Sequence, residues 1–169
     1  AIYLSRSNNI DIDNCHIYGT GPSLAESWPG ISPQFSDTSA NANNHGQGWV
    51  YGIQVDQNNN VEIDANIIIN NCLIEQCDVG ILVYNTLNTT ITNNHLRYLT
   101  SDGIELSNSP NNTGQKTTIA YNNIHDMHTF YNANNDCIGS HNDGIQLFDL
   151  YSTTQLEYKH LIVTGNIIY

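Results

Sequence analysis

Gly52-Ile53-Gln54-Val55, Gly80-Ile81-Leu82-Val83, Gly103-Ile104-Glu105-Leu106 and Gly144-Ile145-Gln146-Leu147 are four copies of one phrase: glycine, isoleucine, a variable residue, then valine or leucine. A second phrase alternates with it. Ile12-Asp13-Asn14-Cys15-His16-Ile17, Ile69-Asn70-Asn71-Cys72-Leu73-Ile74, Ile91-Thr92-Asn93-Asn94-His95-Leu96, Ile119-Ala120-Tyr121-Asn122-Asn123-Ile124 and Val163-Thr164-Gly165-Asn166-Ile167-Ile168 align without gaps. Gly80 and Gly103 lie 23 residues apart and Asn71 and Asn93 lie 22 apart, so these short intervals give the bare repeat and the longer ones carry insertions. A unit of this size cannot bury its own apolar face. Its copies must stack to share one core.

The apolar residues alternate with period two, β-branched isoleucine dominates them, and Asn, Thr and Gly fill the gaps, a pattern of strands rather than helices. The Leu-x-x-Leu-x-Leu signature of a leucine-rich repeat is absent. A strand, a turn, a second strand and another turn per coil describe an all-β, single-stranded right-handed parallel β-helix of about five coils of about 22 residues, its Ile and Val columns inside and its asparagines laddered at the turns. Gly-Ile-x-Val/Leu followed by Ile-x-x-Asn-x-Ile resembles the parallel β-helix repeat family, the pectate-lyase-like superfamily of carbohydrate-active and surface proteins. The resemblance extends over the whole chain apart from the insertions. It implies the fold and leaves enzyme, adhesin and viral-spike roles all open.

Charged residues make up 12 % of the chain, and four Lys and Arg face sixteen Asp and Glu for a formal charge of -12. Nucleic acid and anionic membranes need clustered cations, so neither is a partner for this surface. No run of eighteen apolar residues suggests membrane insertion. The chain is read as one domain over residues 1–169. Because it opens and closes inside a repeat, where solenoids need polar caps, it is expected to be a piece of a longer protein, with end-to-end self-association open to its terminal coils.

Cys15 and Cys72 share a repeat position about 4.8 Å apart if their coils are adjacent. A disulfide and a stack of buried thiols are equally compatible with that spacing. Sequons at Asn88 and Asn111 lean toward an extracellular or cell-surface protein, with the periplasm as the alternative.

Two insertions, at approximately 20–47 and 126–142, both leave an Asn-rich strand and return to a Gly-Ile strand, so both emerge at one corner and can wall a groove. With Ile and Val inward, the glycine, the variable residue and the residue after Val are expected to face outward. This gives Gln54, Leu82, Glu105 and Gln146, then Asp56, Tyr84, Ser107 and Phe148. The aromatics Trp49, Tyr84, Phe148 and Tyr151 with Gln54 and Gln146 form a strip of apolar faces and hydrogen-bonding edges suited to a glycan.

The sharpest local signal is His141-Asn142-Asp143-Gly144-Ile145-Gln146. Asp102 and Asp143 both precede the repeat glycine. Stacked in adjacent coils, two carboxylates repel unless they share a proton, which makes a general acid, or a cation. The cation would be Ca²⁺, with Glu105 as a further oxygen ligand; a turn aspartate capping backbone amides is the plainer alternative. His-x-Asp-Gly-Ile-Gln is similar to a string in carbohydrate-active β-helix proteins, where His and Asp line the groove. Ser101-Asp102-Gly103 and Asn135-Asp136-Cys137-Ile138 are similar to polygalacturonase-like hydrolases, although the Arg-x-Lys clamp of that group has no counterpart here.

The candidate catalytic residues are therefore His141, Asp143, Asp102 and Glu105, with His128 or Tyr131 as other bases. His125, Asp126, Met127, His128, Cys137 and His141 also form a set of transition-metal donors in no established spacing. Polysaccharide binding and processing by an uronan lyase, epimerase or glycoside hydrolase stands beside a non-catalytic adhesive or structural solenoid.

Overall fold

The computed structural model describes residues 2–5, 7–18, 51–55, 64–84, 86–99, 101–107, 116–127, 142–148 and 160–169. They form five coils. The first holds β1 (Ile2–Leu4), β2 (Asn8–Asp13) and β3 (His16–Tyr18); the second β4 (Tyr51–Val55), β5 (Asp64–Asn70) and β6 (Leu73–Glu75); the third β7 (Val79–Tyr84), β8 (Thr86–Thr92) and β9 (His95–Leu99). The fourth holds β10 (Ile104–Ser107), β11 (Thr117–Ala120) and β12 (Asn123–Met127), and the fifth β13 (Ile145–Phe148), β14 (Leu161–Thr164) and β15 (Ile167–Ile168). Equivalent strands pair in parallel to make three five-stranded sheets: sheet A is β1-β4-β7-β10-β13, sheet B is β2-β5-β8-β11-β14, and sheet C is β3-β6-β9-β12-β15.

The gapless alignment of the repeats is the register of the sheets. Ile12, Ile69, Ile91, Ile119 and Val163 stand opposite one another in sheet B, and Ile17, Ile74, Leu96, Ile124 and Ile168 in sheet C. In sheet A, Ile2, Ile53, Ile81, Ile104 and Ile145 do the same. From the second to the fourth coil these columns are fully buried, and they converge on one core.

A coil has three strands, not the two expected from the sequence. The second phrase reads as one strand, but its central residue turns the chain: Asn14, Asn71, Asn93 and Tyr121 have φ between 52° and 58°, and Gly165 has φ 64°. A left-handed residue ends a strand, and asparagine adopts that conformation more readily than other side chains. The corner places the next residue inside. There Asn94, Asn122 and Asn166 form the expected ladder. Asn122 Oδ1 accepts from both the backbone N–H and Nδ2 of Asn94 at 3.0 Å, while Asn122 Nδ2 donates to Ile91 O at 3.0 Å. Asn166 repeats the pattern on Asn122 at 2.9 Å. Cys15 and Cys72 take the same slot in the first two coils as free thiols; Cys72 Sγ donates to Asn70 O at 3.2 Å. Burial, ahead of its contacts with Cys15, pushes the Cys72 thiol up.

The repeat glycines face inward, which corrects the expectation that they leave room on the outer surface. A Cβ on Gly52 would lie 2.4 Å from Ile74 Cγ2, one on Gly80 2.6 Å from Leu96 Cδ2, and one on Gly103 2.6 Å from Ile124 Cγ2. Each glycine stands where sheet C of its own coil returns to sheet A. The side chain it lacks is the space that the sheet C core residue fills.

Candidate functional site on sheet A

The outer column of sheet A runs Tyr3, Gln54, Leu82, Glu105, Gln146, in register across all five coils. Two residues along, Tyr84 and Phe148 pair with Ser107 in the strand register. Gln54, Tyr84 and Gln146 are half-buried. Phe148 ends β13, and its side chain is outside the description. His141, Trp49 and Tyr151 lie outside the described residues, as do His128, Tyr131, Cys137, the sequon at Asn111 and nearly all of both insertions.

Asp102 and Asp143 occupy equivalent places in adjacent coils. Gly103 N donates to Asp143 O at 2.9 Å. Asp102 is buried, with 2 % of its surface exposed, and Asp143 is half-buried. Asp102 Oδ1 accepts the Asp143 backbone N–H at 2.6 Å, and its Oδ2 accepts from Ser101 Oγ at 3.3 Å. One oxygen of Asp102 therefore caps the backbone of the next coil. Its carboxyl–carboxyl partner is Glu105, three residues along in the same coil. Burial first, then a hydrogen bond to Asp102 and the charges of Asp102 and Asp78, push the Glu105 carboxyl from the ordinary 4.5 up to about 8. The hydrogen bond between the two carboxyls requires a proton between them, and the raised value keeps that proton on the pair at neutral pH. Among the described residues, no three His, Cys, Asp or Glu side chains converge in a way that could hold a metal ion.

Sheet C carries a second polar cluster, which the two-strand reading of the coil did not reveal. Its outer columns are His16, Leu73, His95, Asn123, Ile167 and Tyr18, Glu75, Arg97, His125, in register. Glu75 Oε1 meets His16 Nε2 at 2.8 Å and its Oε2 accepts from Arg97 Nε at 2.7 Å. Burial pushes the Glu75 carboxyl up, but the hydrogen bonds from His16 and Arg97 and the Arg97 charge outweigh it and leave the group below its ordinary value. Next to this trio, His95 and His125 meet ring to ring. The signal for the cluster lay in the aligned repeats, where the residues on either side of Ile17, Ile74, Leu96 and Ile124 must face outward.

A family model described as "Right handed beta helix region" matches residues 1–168. The chain belongs to the right-handed β-helix family. No curated protein and no solved structure matches it. In this right-handed β-helix, the interior columns are nearly uniform and the outer columns differ from coil to coil. No helix among the described residues is long and apolar enough to cross a membrane.

Proposed function

We propose that this β-helix is an extracellular polysaccharide-processing protein that works on the outer face of sheet A, with Glu105 as the proton donor. The observation that carries the reading is the placing of the Glu105 carboxyl, largely buried and hydrogen-bonded to Asp102 with Asp78 nearby, which pushes it up to about 8. A carboxylic acid that is neutral at working pH can protonate a glycosidic oxygen as the bond breaks, and matching its pKa to the medium makes that transfer effective. Asp102 holds the acid in place. Its contact with Glu105 is a direct hydrogen bond, so Asp102 cannot stand across the scissile bond from it, where hydrolases keep their two carboxyls about 5 Å or more apart. Asp143, one coil along and partly open to solvent, is the candidate for that second role. Gln54, Gln146 and Tyr84 offer the edges and the flat face that a sugar chain presents in reverse.

The test is turnover on a panel of neutral and uronic-acid polysaccharides, followed as new reducing ends and as unsaturated uronate. New reducing ends without unsaturation are expected, and Glu105→Gln should lower the rate about 100-fold or more. Unsaturated products would support an eliminating enzyme instead. Saturable binding with no turnover by the native protein would make this a non-catalytic glycan-binding solenoid. Full activity in Glu105→Gln would remove Glu105 from the mechanism.

A further inference from the structure

The second cluster lies on a different face. In β9 and β12, Leu96 and Ile124 are fully buried in the core, so His95, Asn123 and His125 project from the outer face of sheet C. His95 and Asn123 are direct partners across the strands, and Arg97 partners His125. His95 and Asn123 are therefore about 4.8 Å apart at the backbone, and His125 stands about 6.8 Å further along the same face from Asn123.

The three residues are neighbours on this face. His95 Nε2 and His125 Nε2 face each other at 2.5 Å. His125 Nδ1 lies 2.8 Å from Asp126 Oδ2. That contact occupies Nδ1 and leaves Nε2 as the ring nitrogen directed at His95. Tyr169 stacks on the His125 ring with centroids 5.0 Å apart and planes 3° from parallel, which holds the imidazole in that plane. Asn123 Oδ1 is buried without a hydrogen-bond partner among the described residues. A proton shared between the two imidazoles would satisfy the nitrogens and leave this oxygen unmet, and buried unmet acceptors are rare.

We propose that His95 Nε2, His125 Nε2 and Asn123 Oδ1 form a binding site for a late first-row divalent cation, Zn²⁺ or Cu²⁺, with Asp126 orienting His125 from behind. Two imidazoles and a carbonyl oxygen suit these ions, whereas Ca²⁺ and Mg²⁺ require more oxygen donors. A carboxylate behind a ligating histidine fixes its tautomer and strengthens it as a donor. Metal–nitrogen bonds of ~2.0–2.1 Å in a tetrahedral site set the two nitrogens ~3.3 Å apart, so the imidazoles part by less than ~1 Å, a small side-chain rotation. Solvent completes the coordination. The Arg97 charge beside the site is already answered by Glu75 at 2.7 Å.

The experiment is calorimetric titration of the full chain with ZnCl₂ and, separately, CuSO₄, with CaCl₂ as the comparison. One saturable site is expected for the first two ions, with affinity lowered at least tenfold in His95→Gln and in His125→Gln. Asp126→Asn should weaken binding about tenfold. Asn123→Asp, which adds a charge at the third donor, should tighten it. Circular dichroism checks that each variant folds. Where one does not, paramagnetic resonance of the native protein with Cu²⁺ decides, because two imidazole nitrogens must appear in its hyperfine pattern. The proposal is overturned by the absence of saturable binding at millimolar metal, by folded histidine variants that bind as the native chain does, by a spectrum without two nitrogens, or by an Asn123→Asp protein that binds no tighter.

Discussion

Replacing Glu105 with glutamine separates the shape of that side chain from its charge. The carboxyl titrates near 8 in the fold and near 4.5 when free of it, raised by burial and by Asp102 and Asp78. Between those values the folded protein keeps a proton that the unfolded chain has released. The folded state binds more protons, so stability must fall as pH rises across the window. The favourable contribution is complete below pH 4.5 and gone above about pH 8. A shift of this size at ~1.4 kcal/mol per unit would give about 5 kcal/mol. Glu105 is partly open to solvent, which screens its charge, and an expectation of about 2–3 kcal/mol follows. Glutamine keeps a donor for Asp102 and cannot ionise. Urea unfolding at pH 5 should find the two proteins within ~0.5 kcal/mol. At pH 9, Glu105→Gln should be the more stable by about 2–3 kcal/mol. The same variant is the one expected to lose turnover, so stability and activity should part company at one atom substitution. A difference that does not grow between pH 5 and pH 9, or a native protein that is the more stable at pH 9, would refute the reasoning.

Asn122→Ala removes the acceptor for the Asn94 N–H and the donor to Ile91 O, leaving buried polar groups unmet; a loss of about 3 kcal/mol is expected, read as a lower urea midpoint with an unchanged slope. Gly80→Ala would put a Cβ 2.6 Å from both Gly103 O and Leu96 Cδ2. Overpacking against backbone should cost about 2 kcal/mol, or a fall of ~4–8 °C in melting temperature. His95 has a lowered pKa in the fold, chiefly through burial, so below pH 6.5 the unfolded chain binds the proton that folded His95 refuses. Stability should therefore decline as pH falls through 6.5, and His95→Gln should flatten that part of the curve in urea melts at pH 5 to 8.

The register of the coils was legible because the core demands it. Isoleucine at matched positions, in copies that align without gaps, leaves one way to stack them. The third strand was not, because a left-handed asparagine such as Asn71 does not look different in sequence from one inside a strand. Glycine misled for a related reason: it carries no polarity to say which way it faces, and only Ile74 and Leu96 packed over it reveal the inward side. At the sheet A site, Asp102, Asp143 and Glu105 were all recognisable from their place before or after the repeat glycine. The plainer reading of Asp102 as a turn aspartate capping backbone amides is what its Oδ1 does, whereas its carboxyl contact with Glu105 in the same coil was not foreseen. The His95–His125 contact is diagonal between strands, joining residues that do not share a repeat position, and a search down aligned columns passes over it.

The asparagine ladder has an end. Asn94 Oδ1 still accepts the backbone N–H of Cys72 at 3.0 Å, but from Cys72 to Cys15 the same slot holds thiols, which bond weakly. A solenoid loses structure coil by coil, and each seam has its own strength. The seam between the first and second coils has no buried amide in this slot, and its amide bonds, from Asn66 to Asn9, Asn70 to Asp13 and Asn71 to Asn14, lie at the exposed surface. Amide hydrogens of β2 and β3 should thus exchange with solvent through openings that leave β8 and β11 closed, giving the molecule a direction of unravelling written into one column of side chains.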